Sequence, residues 1–183
     1  MNNVKLIVLT LWLVSCNSQK SNFFIEQLNS TQPIIILEND DHEIVKLNIP
    51  LLFEIKNKSK IKKISFSSIS YKDFVSKSMS ASLLYSFIND SLQQITKSKY
   101  KFIDSKETKK YILYTQHYLD SLEKKELGYL KEKSINLKIK ISDVITFKTK
   151  HKQLLKRLTK GDSIYIRVEE NSEIKTIKYP IKI

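Results

Sequence analysis

Residues 44–57 constrain the fold more than any other part of the sequence. Apolar side chains stand at every second position there, namely Val45, Leu47, Ile49, Leu51, Phe53 and Ile55. This period of two predicts a β-strand with one face in the protein core. Pro50 falls inside the stretch. Because proline has no N–H to donate to a neighbouring strand, we expect an edge position or a bulge there.

The same reasoning predicts further strands on both sides of the chain's middle. A turn at 57–60 leads into a strand over 61–71, whose phase changes at Ser67–Ser68 and so indicates a bulge. In the last third, alternation predicts strands over 135–141, 164–168 and 177–183. A short helix is expected between the first two of these. Its apolar stripe comprises Phe147, His151, Leu154, Leu155 and Leu158, and Gly161 is placed to end it.

The middle of the chain has helical spacing and predicts an inserted αα-hairpin over 79–127. The first helix would cover 79–98, with Leu83, Leu84, Phe87, Ile88, Leu92 and Ile95 on one face. Asp104 and Glu107 have the spacing of a capping box that opens the second helix. That helix would present Tyr111, Ile112, Tyr118, Leu119 and Leu122 on one side.

Together these elements predict an α+β fold. We expect an antiparallel β-sandwich with the inserted αα-hairpin and one short helix near the C-terminus, in a single domain over 33–183. Residues 47–59 loosely resemble strand-turn segments of immunoglobulin-like accessory domains, although the cysteine–tryptophan core signature is missing. The interior should contain Ile49, Phe53, Ile139, Ile166 and Tyr179.

Composition excludes several functional classes. The 183 residues contain only two glycines, Gly128 and Gly161, so the chain has no glycine-rich phosphate loop, dinucleotide fingerprint or nucleophile elbow. The net charge is +13, yet Arg157 and Arg167 are the only arginines among 32 basic residues. Because arginine is the side chain best suited to bidentate recognition of phosphate and guanine, we predict no nucleic-acid partner. No cofactor is predicted.

The amino terminus indicates export. Lys5 precedes an apolar run over 6–14, which is too short to cross a bilayer as a helix. The run ends in Leu13-Val14-Ser15-Cys16, which resembles the lipobox of bacterial lipoproteins. An ordinary secretory signal fits less well because Leu13 is bulky, and a buried helix is a poor match for a charged start.

The lipobox resemblance implies a defined processing pathway. Cleavage between Ser15 and Cys16 would remove a signal peptide over 1–15, and lipid, including palmitate-type acyl chains, would anchor Cys16 to the membrane. Residues 16–32 are then expected to be the lipidated cysteine and a tether, whose polar part over 17–22 reaches at most about 20 Å. Asn17 is not the aspartate that retains some lipoproteins at the inner membrane, so we expect an outer-membrane protein facing the periplasm.

Clusters of polar residues give no metal or catalytic motif. The acidic run over 38–43 contains His42, but it lacks the spacing and glycine of a calcium loop, and we interpret it as a solvated turn. The acidic turn over 169–173 is interpreted in the same way. His42, His117 and His151 form no zinc motif, and His151 is expected in the core or an interface. A catalytic triad assembled from distant residues stays open.

Tyrosines supply the one candidate for partner binding. Tyr111, Tyr114 and Tyr118 would form a stripe on the predicted second helix. The stripe suits either packing against the sheet or binding of a protein or glycan, and we favour packing, with Tyr114 left exposed. The sequence therefore predicts a membrane-anchored, non-enzymatic binding or structural lipoprotein. Alternatives are an immunity or inhibitor lipoprotein against a secreted toxin or hydrolase, and an envelope hydrolase.

Overall fold

The computed structural model describes residues 23–59, 63–71, 84–95, 101–130, 138–170 and 172–183, with the backbone alone for 63–71, 138 and 170. These described residues are mostly in β-strands, with two α-helices. The elements are β1 Phe23–Leu28, β2 Pro33–Glu38, β3 Ile44–Asn57, β4 Lys63–Tyr71, β5 Leu84–Ile88, β6 Ser91–Gln94, β7 Phe102–Asp104, β8 Thr108–Tyr118, α1 Ser121–Leu127, β9 Lys138–Asp143, α2 Val144–Leu158, β10 Ser163–Glu170 and β11 Glu173–Pro180, with a 3-10 turn at Gly128–Leu130.

The strands form two antiparallel sheets. Sheet A has seven strands in the order β6-β5-β8-β3-β2-β9, with β1 also pairing with β3, and sheet B has four in the order β11-β10-β4-β7. Both sheets contribute to one core: Phe53 and Ile49 of β3 lie in it with Ile166 of β10, and Ile139 and Tyr179 pack against it. The predicted common interior of these five residues is therefore confirmed, and the fold is α+β.

The long strand β3 is the centre of sheet A. The five residues of the alternating row from Leu47 to Ile55 are almost completely buried, which confirms this part of the pattern. At its start, Ile44 is buried and the predicted Val45 only half-buried. On one side β3 pairs with β8 in unbroken register from Lys46 to Lys56. Pro50 lies inside this long strand in register with Tyr114, so there is no bulge toward β8. On the other side of β3, neither β1 nor β2 pairs with Ile49–Leu51, so Pro50 lies at a local edge, as predicted.

Several other predicted elements are confirmed. Two residues of β4, Ser67 and Ser68, stand against the single residue Arg167 of β10, which is the predicted bulge. The helix α2 buries the five residues of its predicted stripe, and Gly161 after it has a φ of 79°. The strand β10 covers the predicted strand over 164–168, and β11 covers the predicted last strand only as far as Pro180, since residues 181–183 are not in a strand. The part of the predicted strands over 61–62 and 135–137 lies outside the described residues.

The predicted helical insert was wrong in all of its described residues except α1. Its first half forms the hairpin β5–β6, joined by Asn89 and Asp90 with φ of 50° and 61°. Two consecutive positive φ values are typical of a type I′ turn, which asparagine and aspartate tolerate. Its second half contains β7 and β8. Five consecutive residues of β8, from Tyr111 to Thr115, are buried, so both faces are covered and the period of two is absent.

The predicted capping box at Asp104 and Glu107 is a tight turn between β7 and β8 instead. The Glu107 carboxylate does accept from the backbone N–H of Asp104, at 2.6 Å, but Lys106 between them has a φ of 65° and the chain continues as a strand. A true capping box opens α1, where Asp120 accepts from the Glu123 N–H at 2.8 Å and Glu123 accepts from Asp120.

The predicted tether over 16–32 was too long. Phe23–Leu28 is the strand β1, which pairs with β3 from Asn57 to Leu52, so these residues belong to sheet A. Their apolar and aromatic content suits a strand better than a solvated linker. Residues 1–22, including Ser15 and Cys16, lie outside the described part. Within that part, no helix has the length and hydropathy needed to span a membrane.

Candidate functional site

A gap in sheet A creates the candidate site. Both β1 and β2 pair with the same edge of β3, β2 with residues from Ile44 to Asn48 and β1 with residues from Leu52 to Asn57. Between them, the β3 residues Ile49–Leu51 pair with β8 alone among the described strands. Pro50 occupies the middle of this gap, a place where a missing N–H deprives no neighbouring strand of a hydrogen bond.

A cavity of about 240 Å³ lies at this gap. Its apolar lining comes from four segments that are far apart in the sequence: Leu28, Pro50 and Leu51, Val144 and Ile145, and Ile183. Gln27, Asn29, Ser30, Lys148 and Lys182 complete the lining with polar groups. The cavity therefore combines an aliphatic surface with two ammonium groups.

The walls are fixed by hydrogen bonds. The side-chain amide of Gln27 donates to the Lys182 carbonyl at 2.7 Å and accepts from the Lys182 N–H at 3.0 Å, which attaches the C-terminal segment to β1. At the other wall, Asp143 caps α2 by accepting from the Thr146 N–H at 3.0 Å. Hydrogen bonds from the backbone and hydroxyl of Thr146 lower the pKa of the Asp143 carboxyl. The cavity is thus bounded by ordered backbone.

The two lysines give the cavity its charge. Lys148 and Lys182 are both exposed to solvent at its rim. Within the described residues, neither ammonium has a carboxylate oxygen within 4.0 Å. An anionic group of a ligand would therefore meet cations that no described side chain neutralises, while its hydrocarbon part would contact the aliphatic lining.

The three tyrosines predicted to form one stripe lie on both faces of β8. Tyr111 is in the shared core opposite Phe53, and burial raises its pKa. Tyr114 is on the other face and only 5% exposed, with its hydroxyl donating to the Pro33 carbonyl at 3.3 Å. Tyr118 is 66% exposed. The expectation that Tyr114 is exposed and Tyr118 buried was wrong. The two residues share one face of β8, but Tyr114 lies in the middle of the strand with the Tyr85 ring 5.6 Å away, whereas Tyr118 is the last residue of the strand.

Comparison with models of protein families, with curated proteins and with solved structures finds no match.

A buried polar array links the two sheets. The His117 Nε2 lies 2.9 Å from the Thr115 hydroxyl, which donates to the Ile49 carbonyl at 3.2 Å, and His117 Nδ1 lies 3.8 Å from an Asp162 carboxylate oxygen. The order of groups is that of a hydroxyl–imidazole–carboxylate triad. However, Thr115 is completely buried and both other side chains are 1% exposed. A substrate could not reach the hydroxyl without opening the core, so we assign the array a structural role.

The other histidines and the first acidic turn are placed as the sequence suggests. His151 is buried in α2 and stacks between Phe147 and Tyr129, whose hydroxyl is 2.6 Å from Nε2. Its backbone departs from helical geometry, with φ of −126° and ψ of 37°. His42 lies in the exposed turn between β2 and β3, where the Asn39 side chain accepts from the Glu43 N–H at 2.7 Å. Among the described residues, no cluster of three potential metal ligands occurs.

Sequence reasoning missed the cavity. Its lining comes from positions as distant as Gln27 and Ile183, and no local motif joins them. Pro50 was the one available signal, since a proline in an otherwise regular strand indicates interrupted pairing. The interruption lies between the two neighbours of β3 and not in the strand itself.

Proposed function

We propose that the protein is a membrane-tethered, non-enzymatic binding lipoprotein of the cell envelope, anchored at Cys16 to the outer membrane and facing the periplasm. We propose further that its ligand is a small molecule with an anionic group and an aliphatic part. One observation carries the ligand class: the cavity at the gap in sheet A combines an aliphatic lining with Lys148 and Lys182. The lipobox resemblance supports the anchor.

The proposal includes a sandwich of sheet A on sheet B with an immunoglobulin-like architecture. Its support is a contact between the sheets, in which the rings of Phe53 and Tyr179 meet edge to face with centroids 5.9 Å apart. Edge-to-face aromatic pairs are common in the interior between packed sheets. The sandwich would set the cavity at one margin of the layer between the sheets.

The size of the cavity limits the ligand. At roughly 30 Å³ per non-hydrogen atom, the cavity of about 240 Å³ accommodates roughly eight such atoms. Hexanoate has this size and both chemical parts, and is a suitable probe. With about 0.5 kcal/mol per atom, its dissociation constant should be roughly millimolar.

The test is a titration followed by NMR chemical shifts, with hexanoate, the neutral hexanamide and the short acetate. We expect hexanoate to bind most tightly and to shift resonances of residues around Ser30 and Ile145. Lys148→Gln should weaken hexanoate binding about two- to fivefold, because an exposed ion pair contributes up to about 1 kcal/mol. It should leave hexanamide binding unchanged.

The matched control is Lys152→Gln, one helical turn beyond Lys148 on α2 and absent from the cavity lining. This variant should bind hexanoate like the unaltered protein. If both variants weakened hexanoate binding equally, Lys148 would act only through the general surface charge and not through the cavity. Equal affinity for hexanoate and hexanamide would contradict the anionic class.

The anchor has its own test. Intact mass spectrometry of protein extracted from membranes should show a chain that begins at Cys16 and carries lipid, and Cys16→Ala should leave uncleaved or soluble protein. A mature chain that begins at another residue, or an unmodified Cys16, would refute the anchor without affecting the ligand-binding proposal.

A further inference from the structure

The exposed phenylalanines of the described residues lie at one end of the domain. Phe24, Phe87 and Phe102 are 41%, 46% and 38% exposed. Phe24 pairs in register with Lys56 near the end of β3, and Phe87 follows Ser86, which pairs with Tyr111 near the start of β8. The Phe102 carbonyl accepts from the ammonium of Lys109, also near the start of β8, at 2.6 Å. We call this region the phenylalanine end.

Two lysines lie against the Phe24 ring. The ammonium groups of Lys58 and Lys56 stand 4.9 Å and 5.9 Å from the centre of the Phe24 ring. Lys56 also pairs with the Glu54 carboxylate at 2.6 Å. Lys58 and the exposed Lys106 have no carboxylate within 4.0 Å among the described residues. Two cations at this end thus have no described ion-pair partner.

The proposed anchor joins the domain at the phenylalanine end. The strand β1 begins with Phe23, next to Phe24 and opposite Asn57. Only residues 17–22 separate it from Cys16, and they reach at most about 20 Å. A lipidated Cys16 would therefore hold this end near the bilayer at a high effective concentration, so that even a weak contact would be populated.

We propose that the phenylalanine end docks on the membrane, with Phe24, Phe87 and Phe102 at the boundary between headgroups and acyl chains and with Lys58 and Lys106 at lipid phosphates. The partner is a phospholipid surface, and the contact rests on the proposed lipid anchor. Aromatic rings suit this boundary, and long lysine side chains bring their ammonium groups to the headgroups while their stems stay near hydrocarbon.

The contact can be measured with tryptophan fluorescence. The chain has one tryptophan, Trp12, within the predicted signal peptide, so the mature protein would contain none. Phe24→Trp and Phe87→Trp would each place a single emitter at the phenylalanine end. Tyr118→Trp is the control, because Tyr118 is exposed at the opposite end of β8.

The purified lipidated variants are reconstituted in phosphatidylcholine vesicles, with and without phosphatidylglycerol, and brominated lipids serve as quenchers. We expect at least threefold stronger quenching for Phe24→Trp and Phe87→Trp than for Tyr118→Trp. Equal quenching of the three variants, whether strong or absent, would overturn the docking. Lipidation is measured on the same samples by intact mass spectrometry. A lipidated protein without selective quenching would overturn the docking alone. An unlipidated protein would overturn both the anchor and the docking.

The lysines are tested in the Phe24→Trp background. Adding Lys58→Gln and Lys106→Gln should reduce quenching in vesicles that contain phosphatidylglycerol, because each lysine close to an anionic surface contributes about fivefold to its occupancy. Adding Lys160→Gln should not, because this exposed residue precedes Asp162, which lies beside His117 near the other end of β8. If the Lys58→Gln and Lys106→Gln substitutions changed the quenching no more than Lys160→Gln does, Lys58 and Lys106 would not be part of the proposed contact.

Discussion

Phe53→Ala should be among the most destabilising single substitutions in sheet A. Phe53 is completely buried at the centre of β3, and its ring meets that of Tyr179 from sheet B. Truncating a buried phenylalanine costs about 3–5 kcal/mol through lost burial and the cavity that remains. Because this ring also makes an aromatic contact, we expect a loss of about 4 kcal/mol in the free energy of unfolding. If that free energy falls by about 2 kcal/mol per molar urea, the urea midpoint should decrease by roughly 2 M.

The assay is urea denaturation followed by circular dichroism, with Phe87→Ala as control because Phe87 is exposed on the same sheet. The control should change the free energy of unfolding by about 0.5 kcal/mol or less. A double-mutant cycle with Tyr179→Leu should give a coupling of about 0.5–1.5 kcal/mol. A midpoint shift for Phe53→Ala no larger than for Phe87→Ala would refute the shared core, and zero coupling would refute the contact between the sheets.

The remaining predictions concern tyrosines and glycines. Tyr114→Ala should lower the free energy of unfolding by about 3–5 kcal/mol and Tyr118→Ala by about 0.5 kcal/mol or less, measured in urea, because only Tyr114 is buried. Burial raises the pKa of Tyr114 to about 12, whereas a tyrosine in the unfolded chain titrates near pH 10. The contribution of the neutral Tyr114 hydroxyl to stability is therefore complete below about pH 10 and lost as the pH rises through 12. Tyr114→Phe should reduce this loss of stability in a series of denaturation experiments at alkaline pH. Gly161→Ala should destabilise the folded protein by about 1–2 kcal/mol, because an alanine is strained at a φ of 79°. Gly128 has a φ of −58° and open space around a new Cβ, so Gly128→Ala should be neutral or stabilise the protein by up to about 1 kcal/mol. Both changes are measured by thermal unfolding.

How much of the fold can be predicted from the sequence depends on which residue types occupy each face of an element. The strand β3 is buried on both faces from Leu47 to Leu51, but its second face carries mainly polar residues, so the alternation can still be read from the sequence. The helix α2 buries one stripe. The strand β8 buries residues on both faces from Tyr111 to Thr115, which erases the alternation and leaves an apolar run that suits a helix equally well. Its richness in tyrosine, isoleucine and threonine was the signal that favoured a strand.

The hairpin β5–β6 shows a second limit. Asn89-Asp90 after the apolar pair Phe87-Ile88 is a turn signal for a two-residue hairpin, but the helical spacing of the surrounding leucines and isoleucines competes with it over so short a distance. The candidate cavity was less predictable still. It depends on which strands share an edge of β3, and that arrangement is a property of topology that no local stretch of sequence contains.

The sharing of one β3 edge by β1 and β2 makes the width of the candidate cavity adjustable from the surface. The connection Asn29–Gln32 leaves β1 beside the cavity and returns the chain to β2, with the Ser30 hydroxyl accepting from the Gln32 N–H at 3.2 Å. Surface connections tolerate insertions and deletions far better than packed strands do. Lengthening or shortening this loop would let the two strands slide apart or together along β3 and change the cavity width while the core stays as it is. Loop grafting would therefore give variants with cavities of different width without a redesign of the hydrophobic interior.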